Sequence, residues 1–391
     1  MKTLFKITSL MLITSALVNA QNSPDFEMDE KHTIYKESFS TNDNTTLVLN
    51  LKSTAAQVYE STDNNVYIEY TKEFNNTGKK RIKRQLEFLE VAGKKQGNKI
   101  TYSVKPKNEI RYSVYNFEDL VLERAEKKEF LKDSTIKPVI RKSLDSIFQE
   151  IRVSDLVYRN KLYGALKIKV RSPRYKKNMQ FTISKMIIKI PKNVHVRATL
   201  ENSNLVFFDD FNNRATMNIR NSKLRFKKVG NPLNIVDMDN GYFRALEVNT
   251  GKYSFANVRQ ILIGKLSNTY INSEFANAEI GEIGQGNKIL DFNSKFWFYN
   301  FSKDFVSFNL NTDYTEINLF NPKDKNYYLE TFGYDTVHYW NDGISGEVKS
   351  DIPNESVKML VIGKESNPNK IQINTTHGII RFGEDFIDFG E

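Results

Sequence analysis

An Asn-led motif that returns every 19 residues constrains this chain more than any other feature. Asn202-Ser203-Asn204-Leu205-Val206-Phe207 comes back as Asn221-Ser222-Lys223-Leu224-Arg225-Phe226, and more loosely as Asn240-Gly241-Tyr242-Phe243-Arg244-Ala245. A second train runs through Asn249, Asn268 and Asn287. A fixed period of about 20 residues is the signature of stacked coils, each too small to bury its apolar side alone. Three and five places after the Asn stand Leu205 and Phe207, Leu224 and Phe226, Phe243 and Ala245. Period-two alternation sends both members of each pair to one face. Stacking would then pile the pairs into a continuous spine. Asn, Ser and Gly ahead of them suit corners, because they accept left-handed backbone. The expectation is a mainly β chain whose C-terminal body, 162–391, is a β-solenoid of β-helix type.

The rest of the chain divides into three. Residues 1–20 read as a secretory signal peptide: Lys2 and Lys6 precede the apolar stretch Ile7–Val18, and Val18-Asn19-Ala20 offers small residues before a cut ahead of Gln21. Gln21 stands where a lipoprotein would need cysteine, and the apolar run is shorter than a membrane span. Residues 21–114 read as a β-rich segment, with turns at Asp63-Asn64-Asn65 and a hairpin across Lys94–Lys99. Residues 115–161 read as a helical insertion. Ile140, Leu144, Ile147, Phe148 and Ile151 form a helical stripe within it, to be packed on the strands. Later copies of the corner include Ser294 before Phe296 and Phe298, and Thr376-His377-Gly378 before another strand. Asp385–Phe389 is expected to close the last coil.

Composition removes several classes of function. There is no cysteine, so stability rests on burial and hydrogen bonds, and thiolate zinc sites are excluded. The net charge of +10 is partly gathered in Lys79-Lys80-Arg81, Lys83-Arg84 and Arg174 with Lys176-Lys177. Such clusters read mainly as solvated faces, or as surfaces for envelope phosphates or acidic glycans. Export argues against nucleic acid as a partner. The four histidines, His32, His195, His338 and His377, lie in no metal-binding spacing. Gly343-Ile344-Ser345-Gly346 is one residue short of a nucleophile elbow, Gly284-Gln285-Gly286 is a turn, and Asp237-Met238-Asp239-Asn240-Gly241 lacks the ligands of a calcium loop. No catalytic residue, metal or cofactor is assigned.

Two readings of function remain. Asp209-Asp210 and Asp237/Asp239, with Arg214, Arg220 and Arg244 nearby, would be the material for a carbohydrate-active enzyme. Phe296-Trp297-Phe298-Tyr299 and Tyr339-Trp340 would be the material for a binding surface. Alternation buries Phe296 and Phe298 and exposes Trp297 and Tyr299, or the reverse. Trp297, Tyr299, Tyr339 and Trp340 are therefore the candidate binding residues, with sugar rings or envelope components as partners.

The strand Leu47-Val48-Leu49-Asn50, the stop at Ile190-Pro191-Lys192-Asn193 and the rung Thr376-His377-Gly378-Ile379 together resemble the bacterial exported "putative-adhesin" family with β-strand repeats. The resemblance covers 45–75 and 165–391. It implies a β-solenoid and a non-enzymatic, adhesin-like role at the cell envelope or outside the cell. The sequence departs from that family in its helical segment and in carrying Asn-Ser where the family more often has Gly.

Overall fold

The computed structural model describes residues 30–75, 77–107, 181–320, 327–340, 347–349 and 357–383. The signal peptide, the helical segment 115–161 with the boundary after it, Arg174 with Lys176-Lys177, Gly343–Gly346 and the closing residues 385–389 lie outside these. What is described is mainly β: 22 strands and the helix Lys79–Glu87.

The 19-residue repeat becomes hydrogen-bonded register. Asn204–Phe207 pairs in parallel with the second half of Ala215–Val229, so Leu205 faces Leu224 and Phe207 faces Phe226. That strand pairs in parallel with the start of Ile235–Glu274, matching Leu224 to Phe243 and Phe226 to Ala245. All six side chains are buried. The rings of Phe207 and Phe226 stack 4.6 Å apart, Phe226 meets Phe243 at 6.2 Å, and Phe243 meets Phe255 at 5.0 Å. The apolar pairs therefore stand in one column, as the spacing requires. Burying each of these aromatics contributes roughly 1.5–3 kcal/mol.

The leading Asn is a corner. Asn202, Asn221, Asn240 and Asn257 all have positive φ, between 49° and 57°. That conformation costs most residues about 1–2 kcal/mol, and Asn is among the few that adopt it readily. Asn240 Nδ2 also donates to Asn221 Oδ1 at 2.9 Å, one coil below. The Ser that follows is just as specific. The Ser203 amide donates to Ser222 Oγ at 2.9 Å, and Ser222 Oγ donates to the Arg220 carbonyl at 2.7 Å. The corner's stray polar groups are thus satisfied within the stack. Gly241 replaces this Ser because a Cβ there would sit 1.9 Å from the Ser222 carbonyl oxygen. The second Asn train is genuine for one step, with Asn268 Nδ2 donating to Asn249 Oδ1 at 3.3 Å. It then slips: Asn287 lies beside Thr269, 18 residues back, and accepts from its amide and hydroxyl.

Order along the stack is not always order along the chain. Near the N-terminus, Thr46–Lys52 lies between Lys99–Pro106 and His195–Glu201, parallel to both. Ala55–Glu60 likewise lies between Phe181–Ile190 and Asn204–Phe207. The N-terminal strands are thus hydrogen-bonded members of the same sheet system. Near the C-terminus, Lys370–Thr376 enters between Ser307–Asp313 and Tyr328–Tyr334. Both regions then carry antiparallel additions. Asn65–Asn75 pairs with Phe181–Ile190 and with Glu30–Ser40, Leu89–Gln96 forms a hairpin with Lys99–Pro106, and Val357–Ile362 pairs with Tyr328–Tyr334. The hairpin turn expected from the sequence is Gly97-Asn98, with Gly97 at φ 58°.

One local expectation fails. Lys79–Glu87 is a helix within the segment read as strands. Its residues are strong helix formers, but Ile82 alone among them is buried, so no apolar stripe announces it. The basic cluster of 79–84 is the solvated outside of that helix.

Candidate functional site

Trp297, Tyr299 and Tyr339 fall on the outer face of the sheet formed by the strands after the corners. Strand pairing sets Trp297 beside Asn318, Asn318 beside Arg381 and Arg381 beside Tyr339. Tyr339 is exposed, with the Arg381 guanidinium 5.6 Å from its ring centre. Trp340 pairs with Phe382 along the backbone, and its side chain lies outside what is described.

Alternation sets the other two on one face, opposite Phe296 and Phe298, and that face is the outer one. Phe296 and Phe298 are in the core, and Trp297 and Tyr299 point away from it. Tyr299 is nevertheless only 2% exposed. It stacks on Phe320 at 4.8 Å and 6°, and its hydroxyl donates to Glu279 at 3.0 Å. With Leu262, and with Leu246 and Trp297 packed alongside, it forms a second apolar cluster on the outer face. Trp297 is half-buried beneath the Lys295 ammonium, 4.8 Å from its ring centre. Tyr299 is thus a packing residue and not an open platform for a ligand.

Three of the four carboxylates singled out for chemistry have structural partners. Asp209 accepts from the Glu60 amide at 2.9 Å, Asp210 pairs with Lys227 at 2.9 Å, and Asp239 accepts from Asn257 at 3.2 Å. Among the described residues no cluster of three or more His, Asp or Glu is placed to hold a metal ion. His195 is pushed below its ordinary value by burial and by Arg214 and Arg197. His338 is pushed to about 4, by burial first and then by Lys358, and bonds to Thr331 Oγ1 at 3.0 Å. Asp291 is buried between Ser273 and Thr315, whose hydroxyls donate to it at 2.5 Å each. Burial raises its carboxyl above the ordinary range, against those bonds.

A different set of aromatics forms a continuous exposed row, and the sequence reading missed it. Phe275 meets Phe292 at 5.6 Å, and Phe292 meets Tyr314 at 6.0 Å. Tyr314 stacks on His377 at 4.7 Å and 11°, and His377 meets Tyr334 edge-on at 5.9 Å. The four Phe and Tyr rings are exposed. With His377 they stand at five successive corners or one place before them: the residues of positive φ here are Phe275, Asn293, Tyr314, His377 and Asp335. His377 is bracketed by carboxylates, with Nδ1 at 3.4 Å from Asp313 and Nε2 at 3.7 Å from Asp335. The available signal was an aromatic standing where earlier coils carry the corner Asn. His377 could not have been placed from spacing, because its coil enters the stack out of chain order.

No helix among the described residues is long and apolar enough to cross a membrane. No protein-family model matches the sequence, and no curated protein aligns with it. Two solved structures align with 90% of the chain. One is described as a "putative cell adhesion protein" from Clostridium sporogenes, at 7% identity and TM-score 0.18 over 99% of that chain. The other is described as a "putative lipid binding protein" from Parabacteroides distasonis, at 9% identity and TM-score 0.34 over 97% of that chain. At such scores neither likeness bears on what this protein does.

Proposed function

We propose that this chain is an exported, non-enzymatic β-repeat protein that serves as an adhesin-like binding surface at the cell envelope or outside the cell. In this reading residues 1–20 are removed on export, 115–161 form a helical insertion, and the stacked coils make a β-solenoid. The observation that carries it is the unbroken file of exposed rings along successive corners, from Phe275 to Tyr334. Parallel register repeats a position at every strand spacing, about 4.8 Å, so whatever one coil shows to solvent the next shows beside it. Exposed apolar groups in a contiguous patch mark interaction sites. The same register gives Tyr339 its place in the outer row with Trp297.

The test is a pulldown of whole cell-envelope fractions and a glycan array, both with the full chain expressed with its own leader. Saturable retention by either supports the reading. A chain that binds neither removes it. The rival, a carbohydrate-active enzyme, would release reducing ends from a polysaccharide panel, and would lose that activity in Asp209→Asn or Asp237→Asn.

A further inference from the structure

We propose that the corner file of Phe275, Phe292, Tyr314, His377 and Tyr334 is a stacking track for an extended, neutral polysaccharide. The inference rests on the binding-surface reading above and names its site and ligand class.

The first support is a mismatch between residue and backbone. Phe275 and Tyr314 hold φ of 50° and 53°, the conformation that Asn202, Asn221, Asn240 and Asn257 hold in the earlier coils. Asn suits that geometry, and a bulky aromatic does not. These two rings gain little packing in return, being 49% and 53% exposed. Strained backbone held for ring contacts that stay half open to solvent points to a role outside packing.

Charge decides the class of ligand. The five corners and the residues just before them are Glu274, Phe275, Phe292, Asn293, Asp313, Tyr314, Thr376, His377, Tyr334 and Asp335. They include three carboxylates and no lysine or arginine. In a chain of net charge +10 that is a local reversal of sign. It disfavours nucleic acid, anionic lipid headgroups and acidic glycans. Carboxylates, amides and hydroxyls beside rings are what a sugar needs: ring faces for its apolar C–H side and acceptors for its hydroxyls. A caged cation is a poorer fit, because the rings follow one another along an outer corner and do not enclose a point. The even spacing suits a ligand that itself repeats.

The test substitutes the corner residue that the backbone prefers. Phe275→Asn with Tyr314→Asn in the full chain should hold or raise Tm, while binding to neutral polysaccharide falls by about tenfold or more. The probes are a β-glucan, a xylan and a mannan, read by affinity electrophoresis. Tyr334→Ser, at a strand position of ordinary φ, should weaken binding by itself and supplies a second reading if the double variant is unstable. Wild type binding none of the three overturns the proposal, as does undiminished binding by both variants. So does a ring-dependent dimer in solution, which would make the file a contact between copies. If envelope fractions still retain the wild type in any of these cases, the binding role stands and only the track is wrong.

Discussion

Single residues set the protein's response to pH. His338 is held near 4, below the ordinary imidazole value of about 6.5. The native state therefore resists a proton that the unfolded chain accepts. Stability contributed by the neutral ring is present above about pH 6.5 and declines as pH falls toward 4. His338→Gln should flatten the drop in Tm over that window, measured against wild type by thermal melts. An unchanged slope would assign the acid sensitivity elsewhere. Asp291 works in the opposite sense. Its raised carboxyl favours the protonated form in the fold, so its burial costs most at neutral pH and least in acid. Asp291→Asn, which removes the charge and keeps the shape, should raise Tm relative to wild type at pH 7, and the gain should shrink as pH falls. A pH-independent difference would contradict the burial argument. Neither state could be read from the sequence, since each depends on partners on other strands: Thr331 and Lys358 for one, Ser273 and Thr315 for the other.

At the scale of elements, the corner is the unit that specifies the coil. Asn221 holds left-handed backbone and receives a hydrogen bond from Asn240. Asn221→Ala should therefore cost about 1–2 kcal/mol in urea unfolding. Asn221→Gly, which keeps the conformation and loses the amide bond, should cost less despite its added chain entropy. Equal losses would mean that backbone geometry is not what Asn supplies. This unit was legible in the sequence because it is local: Asn, then Ser, then alternating apolar residues. The exposed rings were less legible. Period two puts Trp297 and Tyr299 on one face and leaves open which face that is, and it says nothing of what covers the outer one. Tyr299 is covered by Phe320 from the next strand, in a cluster that Leu262 joins from two strands away on the other side. The helix Lys79–Glu87 was hidden for a related reason, having one buried residue and no stripe.

At the scale of the molecule, the stack is assembled partly out of sequence. Lys370–Thr376 fills the place between Ser307–Asp313 and Tyr328–Tyr334. A period found by reading along the chain cannot show this, since the neighbours in space are far apart in sequence. Truncation before residue 357 also removes Ile379–Gly383, so Ser307–Asp313, Glu316–Phe320, Tyr328–Tyr334 and Val337–Trp340 should each lose a parallel neighbour, and exposed edges pair with other chains. The truncated protein should aggregate, by light scattering, under conditions where the full chain remains dispersed. A monodisperse truncation would show that these late strands are dispensable. The N-terminal region manages its edges in sequence: Glu30–Ser40 carries Lys31 and Lys36, paired with Glu73 and Glu69, and Leu89–Gln96 carries Lys94 and Lys95.

The parallel stack requires residues one repeat apart to lie on adjacent strands. The chain has no cysteine of its own, so nitroxides can be attached at two chosen sites alone. Asn218 and Asp237 are exposed, lie 19 positions apart and are direct parallel partners. With both replaced by labelled cysteines, the continuous-wave spectrum should show strong dipolar broadening, from backbones about 5 Å apart. A doubly labelled chain whose spectrum equals the sum of its two single labels would place those strands apart and contradict the stack.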